Sequence, residues 1–177
     1  LKYNFEFKKP DAINIIIKED FCTQADFLYK NGLKRIGIIE RALCDYFIYG
    51  GFPETYTMKS DEVMPYLKMQ VVERVLFRDI PEVVGVRNPY LLGQILKFVS
   101  SETGNIVNFT NLCSKFSTRY ETISSYLFYL ESSFLINILR KYSRGGLAKA
   151  KSWPKVHILD PAVANCMLNF GSDILNR

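Results

Sequence analysis

The sequence is poor in the residues that build metal sites, disulfide frameworks and acid–base centres. It contains one histidine and four cysteines among 177 residues, and no two cysteines form a CxxC pair. The wide spacing of Cys22, Cys44, Cys113 and Cys166 fits neither a zinc ribbon nor a secreted disulfide scaffold. We therefore predict free thiols, no metal site and no catalytic residue in this chain.

Further absences bear on location and on nucleotide chemistry. No apolar run is long enough to span a bilayer and no cleavable signal is present, so we predict a cytoplasmic protein without a membrane partner. No GxxxxGK[ST] motif is present, so the chain lacks a phosphate cradle and we expect no cofactor in it. Because the chain begins at Leu1 and not at Met, we expect a fragment of a longer protein.

The composition is that of a chain that folds. Hydrophobic residues make up 48% of it and aromatic residues 14%, which is enough to bury a core. The net charge of +5 is modest. It permits either nucleic acid or an acidic protein as a partner, and the charge alone does not choose between them.

The first half of the chain, 1–88, is predicted to be a largely helical segment. A short strand at 13–17 and a helix at 20–29 precede a helix at 34–49, which the glycines and proline of the sequence GGFP then break. A long helix follows from about 60 to 79 and is expected to end at Pro81. Its predicted apolar face consists of Met69, Val72, Leu76 and Ile80.

Residues 89–160 have the pattern of a winged helix. A helix at 90–101 is followed by a short helix with Asn108 as its N-cap and by a third helix that Ser117-Thr118 is expected to cap. Extended segments at 134–142 and 154–159 form the predicted hairpin. The third helix carries its apolar stripe on Ile123, Leu127, Leu130 and Phe134. The predicted fold class is therefore mostly α (α+β), with 161–177 as the start of a truncated C-terminal domain.

The predicted hairpin loop, or wing, carries charge of one sign. No acidic residue lies between Glu131 and Asp160. The six cations in this interval are Arg140, Lys141, Arg144, Lys149, Lys151 and Lys155. A basic segment beside a helix-turn-helix pattern is typical of a contact with the phosphate backbone of nucleic acid.

The third helix would be the recognition helix, which presents its N-terminal residues to the DNA major groove. Those residues are Thr118, Arg119, Tyr120 and Thr122. Because they include no Asn or Gln, we predict binding to the DNA backbone in preference to sequence-specific reading. Many winged helices bind only proteins, so a protein-interaction or oligomerisation module is the alternative.

Four sequence motifs occur in an order and at a spacing that resemble a known family. They are LCDYFIYGGFPETY (43–56), VVERVLFRDIPEV (71–83), TISSYLFYLESSFLI (122–136) and KVHILDPAVAN (155–165). Over about 38–165 the chain resembles the C-terminal region of prokaryotic AAA-superfamily P-loop ATPases. The resemblance implies an ATPase domain in the same polypeptide as partner, with ATP and Mg bound there and not in this chain.

The resemblance also suggests residues that contact the ATPase domain. Gly50 and Gly51 lie in the GGFPE turn, and Arg78-Asp79 lies at the end of the long helix; all four are predicted interdomain residues. The alternative for the two glycines is a turn that terminates a helix and has no further function.

The C-terminal part of the same family resembles PD-(D/E)XK nucleases, so half of such a nuclease is a further alternative. Asp160 matches the aspartate of that family. A metal nuclease needs several converging carboxylates, and the chain ends before a second one or a catalytic lysine. Asp160-Pro161 equally fits the end of a strand and the start of a helix, so we assign no catalysis to it.

Overall fold

The computed structural model describes residues 29–30, 32, 36–142 and 152–170. The predicted strand at 13–17 and nearly all of the predicted helix at 20–29 lie outside these residues. The chain divides into two units, Leu1–Tyr46 and Phe47–Arg177. The predicted domain boundaries at 88 and 160 both fall within the second unit and remain predictions. No helix in the described part of the chain is long and apolar enough to cross a membrane.

Helix α1 runs from Ile36 to Tyr49, as the sequence predicted, and has no buried residue. It ends at Gly50, whose φ of +68° is a left-handed conformation that glycine adopts without a steric penalty. A short 3₁₀ helix follows at Pro53–Thr57. Its fully buried Thr55 holds the turn, because the Oγ1 hydroxyl lies 2.8 Å from the carbonyl oxygen of Tyr49 and 2.7 Å from that of Phe52.

A continuous helical run at 60–84, here called the long helix, changes its winding along its length. It consists of α2 (Ser60–Tyr66), π-helical segments at Leu67–Glu73 and Val75–Asp79, and α3 (Ile80–Val84). The buried face is formed by Val63, Leu67, Val72, Leu76 and Ile80. The step of five residues from Leu67 to Val72 matches the i→i+5 winding of a π-helix. Met69, predicted on this face, is 61% exposed, because that prediction assumed regular α-helical winding.

The prediction that Pro81 ends the long helix is wrong. The helix continues to Val84 and ends at Gly85, which has a φ of +64° and donates its N–H to the Pro81 carbonyl oxygen at 2.9 Å. A proline ring usually clashes with the carbonyl four residues earlier and lacks an N–H. Here the carbonyl four residues earlier belongs to Phe77, which lies in the π-helical segment, where the wider winding changes the spacing of those groups.

The winged-helix order is present. Helices α4 (Pro89–Ser101), α5 (Phe109–Lys115) and α6 (Tyr120–Ser132) precede strands β1 (Ile136–Leu139) and β2 (Lys155–Ile158). The strands are antiparallel, with Ile136 opposite Ile158 and Leu139 opposite Lys155. Ile106, between α4 and α5, forms an isolated bridge with Lys155 in the position of a third strand. The fold is therefore mostly helical α+β with a small hairpin, as predicted.

The helix ends confirm some predicted caps and correct others. Asn108 caps α5, since its Oδ1 accepts the N–H of Thr110 at 2.9 Å. Ser117 makes the predicted turn with a φ of +49°, but the N-cap of α6 is Arg119, which makes no side-chain capping bond. Phe134 is not part of the apolar stripe: it lies beyond the end of α6 with a φ of +57° and is 81% exposed.

Helix α7, at Pro161–Leu168, packs against α4 and against the first π-helical segment. Ala162, Val163 and Cys166 are its buried core residues. They belong to the same hydrophobic core as the buried residues of the long helix and of the winged helix. The core thus fixes the position of α7 relative to the hairpin that precedes it.

Candidate nucleic-acid interface

An aromatic cluster joins the start of α6, the predicted recognition helix, to the residues that precede strand β2. The Phe109 ring lies 5.9 Å from the Tyr120 ring and 5.6 Å from the Trp153 ring, measured between centroids. Tyr120 remains 48% exposed and Trp153 36% exposed. The two elements that contact DNA in winged helices therefore meet at one end of this domain.

The strand register places the two ends of the hairpin loop at the same end of the sheet. Because Leu139 pairs with Lys155, the exposed Arg140 and Lys141 leave the sheet at the end where Trp153 enters it. The remaining predicted wing cations, Arg144, Lys149 and Lys151, lie outside the described residues.

The predicted recognition residues lie in two different environments. Arg119 is exposed and directly precedes Tyr120, which contacts the aromatic cluster. Thr122 is half-buried and instead lines a cleft on the other flank of α6, together with Thr118. Tyr120, directly preceded by Arg119, therefore belongs to the aromatic cluster with Trp153, whereas Thr122 lines a different cleft.

The exposed face of α6, here called the crest, carries residues that were not among the predicted site residues. Glu121 is exposed and Phe128 is 61% exposed, while Ile123, Leu127 and Leu130 are buried on the opposite side. The helical phase of those three buried residues was the signal in the sequence that could have identified the crest.

The predicted interdomain glycines contact α7 of this same chain. The Gly51 N–H donates to Oδ2 of Asp160 at 2.7 Å. Asn165, on α7, donates its Nδ2 to the Phe47 carbonyl oxygen at 2.6 Å. A Cβ atom at Gly50 would overlap the Asp160 carboxylate and lie 2.8 Å from the Ala162 Cβ. The GGFPE turn is therefore held against the start of α7 at several points.

The second predicted interdomain pair lies on the surface of the long helix. Arg78 forms an ion pair with Glu82 at 3.4 Å, and Arg74 approaches Asp79 at 3.8 Å. All four side chains are about half exposed or more. Such surface pairs contribute little to stability, so they leave Arg78 and Asp79 available for another contact.

Asp160 lies at the start of a helix and has a structural role there, which was the alternative to catalysis in the sequence analysis. It is the N-cap of α7, with Oδ1 accepting the Ala162 N–H at 2.8 Å, and Pro161 follows at the first helical position. Its Oδ2 is the acceptor for Gly51. Within the described ranges there is no group of three or more His, Cys, Asp or Glu residues that could hold a metal ion.

A groove of about 600 Å³ lies between the long helix and α7. Its lining includes Met64, Lys68, Glu73 and Cys166. Burial raises the pKa of the Cys166 thiol to about 11, with a smaller opposing effect from the Lys68 charge and a small further rise from Glu73. The thiol is therefore protonated at neutral pH and has little nucleophilic character.

The comparisons with known proteins give a relative and a family. The chain is similar to an uncharacterized protein of Haemophilus influenzae (strain ATCC 51907 / DSM 11121 / KW20 / Rd), with 26% identity over 141 residues. The match covers 76% of this chain and 35% of the relative, so the chain spans about a third of the length of that protein. No solved structure matches the chain. A family profile matches residues 40–174, and the chain therefore belongs to the family described as Domain of unknown function (DUF8612).

Proposed function

We propose that this chain is a nucleic-acid-binding module that contacts the phosphate backbone through its wing and the N-terminus of α6. The observation that carries the proposal is the contact of Phe109 with both Tyr120 and Trp153. This cluster holds the recognition helix and the wing at one end of the domain, where a single duplex can touch both.

The charges at this end suit a polyanion. Arg119, Arg140, Lys141 and Lys155 are exposed, and the chain has no acidic residue from 132 to 159. Neutralising phosphates releases their counterions, which makes such binding strong at low salt and weak at high salt.

Recognition of the backbone fits the composition of the α6 crest better than recognition of bases. The exposed crest carries Glu121 and Phe128, with the half-buried Ser124 and Ser125 between them. None of these is an Arg, Asn or Gln, the residues that most often make bidentate contacts to base edges. We therefore expect affinity for many sequences with little discrimination among them.

The parent protein is proposed to be a cytoplasmic P-loop ATPase, on the strength of the family resemblance of the four motifs. The relative from Haemophilus influenzae leaves room for such a domain, since this chain matches only 35% of it. A Walker motif in the remainder of the parent reading frame would support the proposal, and a parent without one would contradict it.

An interaction module is the second candidate, and one surface favours it. An apolar groove of about 280 Å³ is lined by Asp79, Val83, Phe128 and other residues of the long helix and α6. Val83 is 82% exposed and Phe128 61% exposed. The proposed occupant is the ATPase domain of the same polypeptide, because Asp79 and the neighbouring Arg78 are the predicted interdomain residues. Val83→Asp should weaken association with a separately expressed ATPase domain without affecting DNA binding.

The experiment for the first proposal is a fluorescence anisotropy titration of a blunt duplex at several salt concentrations. Arg119→Ala should reduce the slope of log affinity against log salt by about one, and Arg140→Gln with Lys141→Gln by about two, if each cation contacts a phosphate. Arg74→Gln, which neutralises an exposed arginine on the long helix, is the matched control. Absence of binding at low salt would remove the nucleic-acid proposal and leave the interaction module.

A further inference from the structure

A cleft of about 440 Å³ lies between α6 and the linker that follows the long helix. One wall is formed by Val84 at the end of the long helix and by 85–88 of the linker, and the other by one flank of α6 and the turn that precedes it. We call this space the linker cleft. Its volume is within the range of about 300–1,000 Å³ that is typical of small-ligand sites.

The polar groups of the linker cleft suit a phosphate and a hydrogen-bonding ring. Arg87 is exposed and forms no ion pair with any residue that the structure describes. Thr118, Thr122 and Ser125, which carry hydroxyl groups, line the α6 side. The first turn of α6 adds backbone N–H groups, because its N-cap, Arg119, makes no side-chain capping bond.

The aromatic groups of the cleft supply a stacking surface. The Tyr126 ring lies 6.2 Å from the Tyr129 ring, and both side chains line the cleft. The Asn88 N–H donates to the Tyr126 hydroxyl at 3.2 Å, which fixes that buried ring against the linker. Tyr129 is only partly buried, with Phe128 edge-on at 6.1 Å, so it is the more accessible of the two rings for a stacking ligand.

We propose that the linker cleft binds an unpaired nucleotide, with its phosphate on Arg87 and its base against Tyr129. The inference rests on the proposed nucleic-acid function and names its substrate class. Cations combined with aromatic rings are the chemistry of single-strand recognition. A base within a duplex is stacked and paired, and reaches a pocket beside α6 only by leaving the stack, whereas a base in an overhang does so at little cost.

Glu121 is the one acidic group that lines this cleft, and it opposes a phosphate there. It also lies in the first turn of α6, where a negative charge stabilises the helix dipole. Because the repulsion of the phosphate is removed, replacing Glu121 by the neutral glutamine should increase affinity for a duplex with an overhang. This expected gain distinguishes a phosphate-binding cleft from a cleft that binds a cationic peptide, for which the same change should reduce affinity.

The test compares three fluorescent DNA probes by anisotropy: a blunt duplex, the same duplex with a short single-stranded overhang, and the overhang strand alone. The overhang duplex should bind about tenfold more tightly than the blunt duplex, given the usual contribution of stacking one base. Arg87→Gln with Tyr129→Leu should abolish that difference and leave blunt-duplex binding unchanged. Glu121→Gln should increase affinity for the overhang duplex, and Arg74→Gln should not alter the difference. Circular dichroism melting confirms that each variant folds.

The outcomes separate this inference from the proposed function. If blunt and overhang duplexes bind equally and affinity falls with salt, the linker-cleft proposal is overturned and the proposed binding by the wing is supported. Binding of the overhang strand that needs Arg87, without binding of the blunt duplex, would keep the cleft and overturn the duplex-binding wing. Binding of no probe at low salt would overturn both.

Discussion

Gly51 and Asp160, 109 positions apart in the chain, are joined by a hydrogen bond of 2.7 Å from the Gly51 N–H to Asp160 Oδ2. The other carboxylate oxygen caps α7 through the Ala162 N–H at 2.8 Å. One side chain therefore ties the turn after α1 to the start of the last described helix. The conformation of the turn and the position of α7 depend on each other through this carboxylate.

Gly50→Ala should destabilise the protein more than Gly85→Ala. Both glycines have a positive φ, which costs an alanine about 1–2 kcal/mol. A Cβ at Gly85 meets nothing within 4 Å, whereas a Cβ at Gly50 overlaps Asp160 and lies 2.8 Å from the Ala162 Cβ. The Gly50 variant should therefore lose at least about 1 kcal/mol more in urea unfolding, because packing must shift around the added atom. Equal losses would mean that the turn does not contact α7.

Replacing Asp160 by Asn and by Ala should separate its two contacts. Asparagine keeps one oxygen for the cap of α7, but its amide group cannot accept the Gly51 N–H, so we expect a loss of about 1–2 kcal/mol. Alanine loses the cap as well and should cost about 1 kcal/mol more. Chemical denaturation of both variants measures the difference. If Asp160→Asn matches the wild-type stability, the bond to Gly51 contributes nothing measurable.

Leu127→Ala should strongly destabilise the winged helix, whereas Phe128→Ala should not. Leu127 is 1% exposed in the core, and Phe128 is 61% exposed on the outer side of α6. The expected loss for a buried leucine is about 2–5 kcal/mol, against about 0.5 kcal/mol or less for an exposed side chain. Thermal melting of the two variants provides the test. Similar melting temperatures would show that the rotational phase of α6 is misassigned.

Cys166 should resist alkylation in the folded protein while Cys44 reacts. Cys44 is exposed, whereas Cys166 is buried and has its pKa raised from 9.0 to about 11. At pH 8 its thiolate fraction is on the order of one in a thousand, so iodoacetamide should label it only after unfolding. Mass spectrometry of pulse-labelled protein measures both sites. Equal labelling rates would contradict the burial of α7.

The same thiol predicts a pH dependence of stability. Because folding raises its pKa, the buried thiol favours the folded state while it is protonated, and this contribution is lost as pH rises from about 9 towards 11. Cys166→Ala should remove that part of the alkaline destabilisation. A variant with the same alkaline profile as the wild type would show that another group is responsible.

Local chemistry in the sequence predicted much of the fold. Asn108 capped its helix as expected, since its side-chain oxygen accepts the N–H groups of Thr110 and Asn111, two and three positions later. The buried phase of α6 followed from Ile123, Leu127 and Leu130 because a regular helix repeats its faces every three or four residues. These features depend on residues close together in the chain, so the local sequence is enough to predict them.

Regular periodicity failed where the winding or the chain path changed. Met69 was predicted to be buried by α-helical spacing, but the π-helical turn moves the apolar face from Met69 to Leu67. Phe134 continued the apolar stripe of α6 in the sequence, but the helix had already ended at Ser132 and the left-handed backbone turns that side chain outward. A pattern of residue types does not show at which residue the backbone dihedral angles change and the helix ends or alters its winding.

The sequence by itself determined α1, the three helices of the winged-helix region and the hairpin. Only the tertiary structure decided that Asp160 contacts Gly51, that Phe109 joins Tyr120 to Trp153, and that Thr122 lines the linker cleft. These contacts join residues far apart in the chain. Their distances depend on how the helices pack around the shared core. That packing results from the burial of many side chains, and no single motif encodes it.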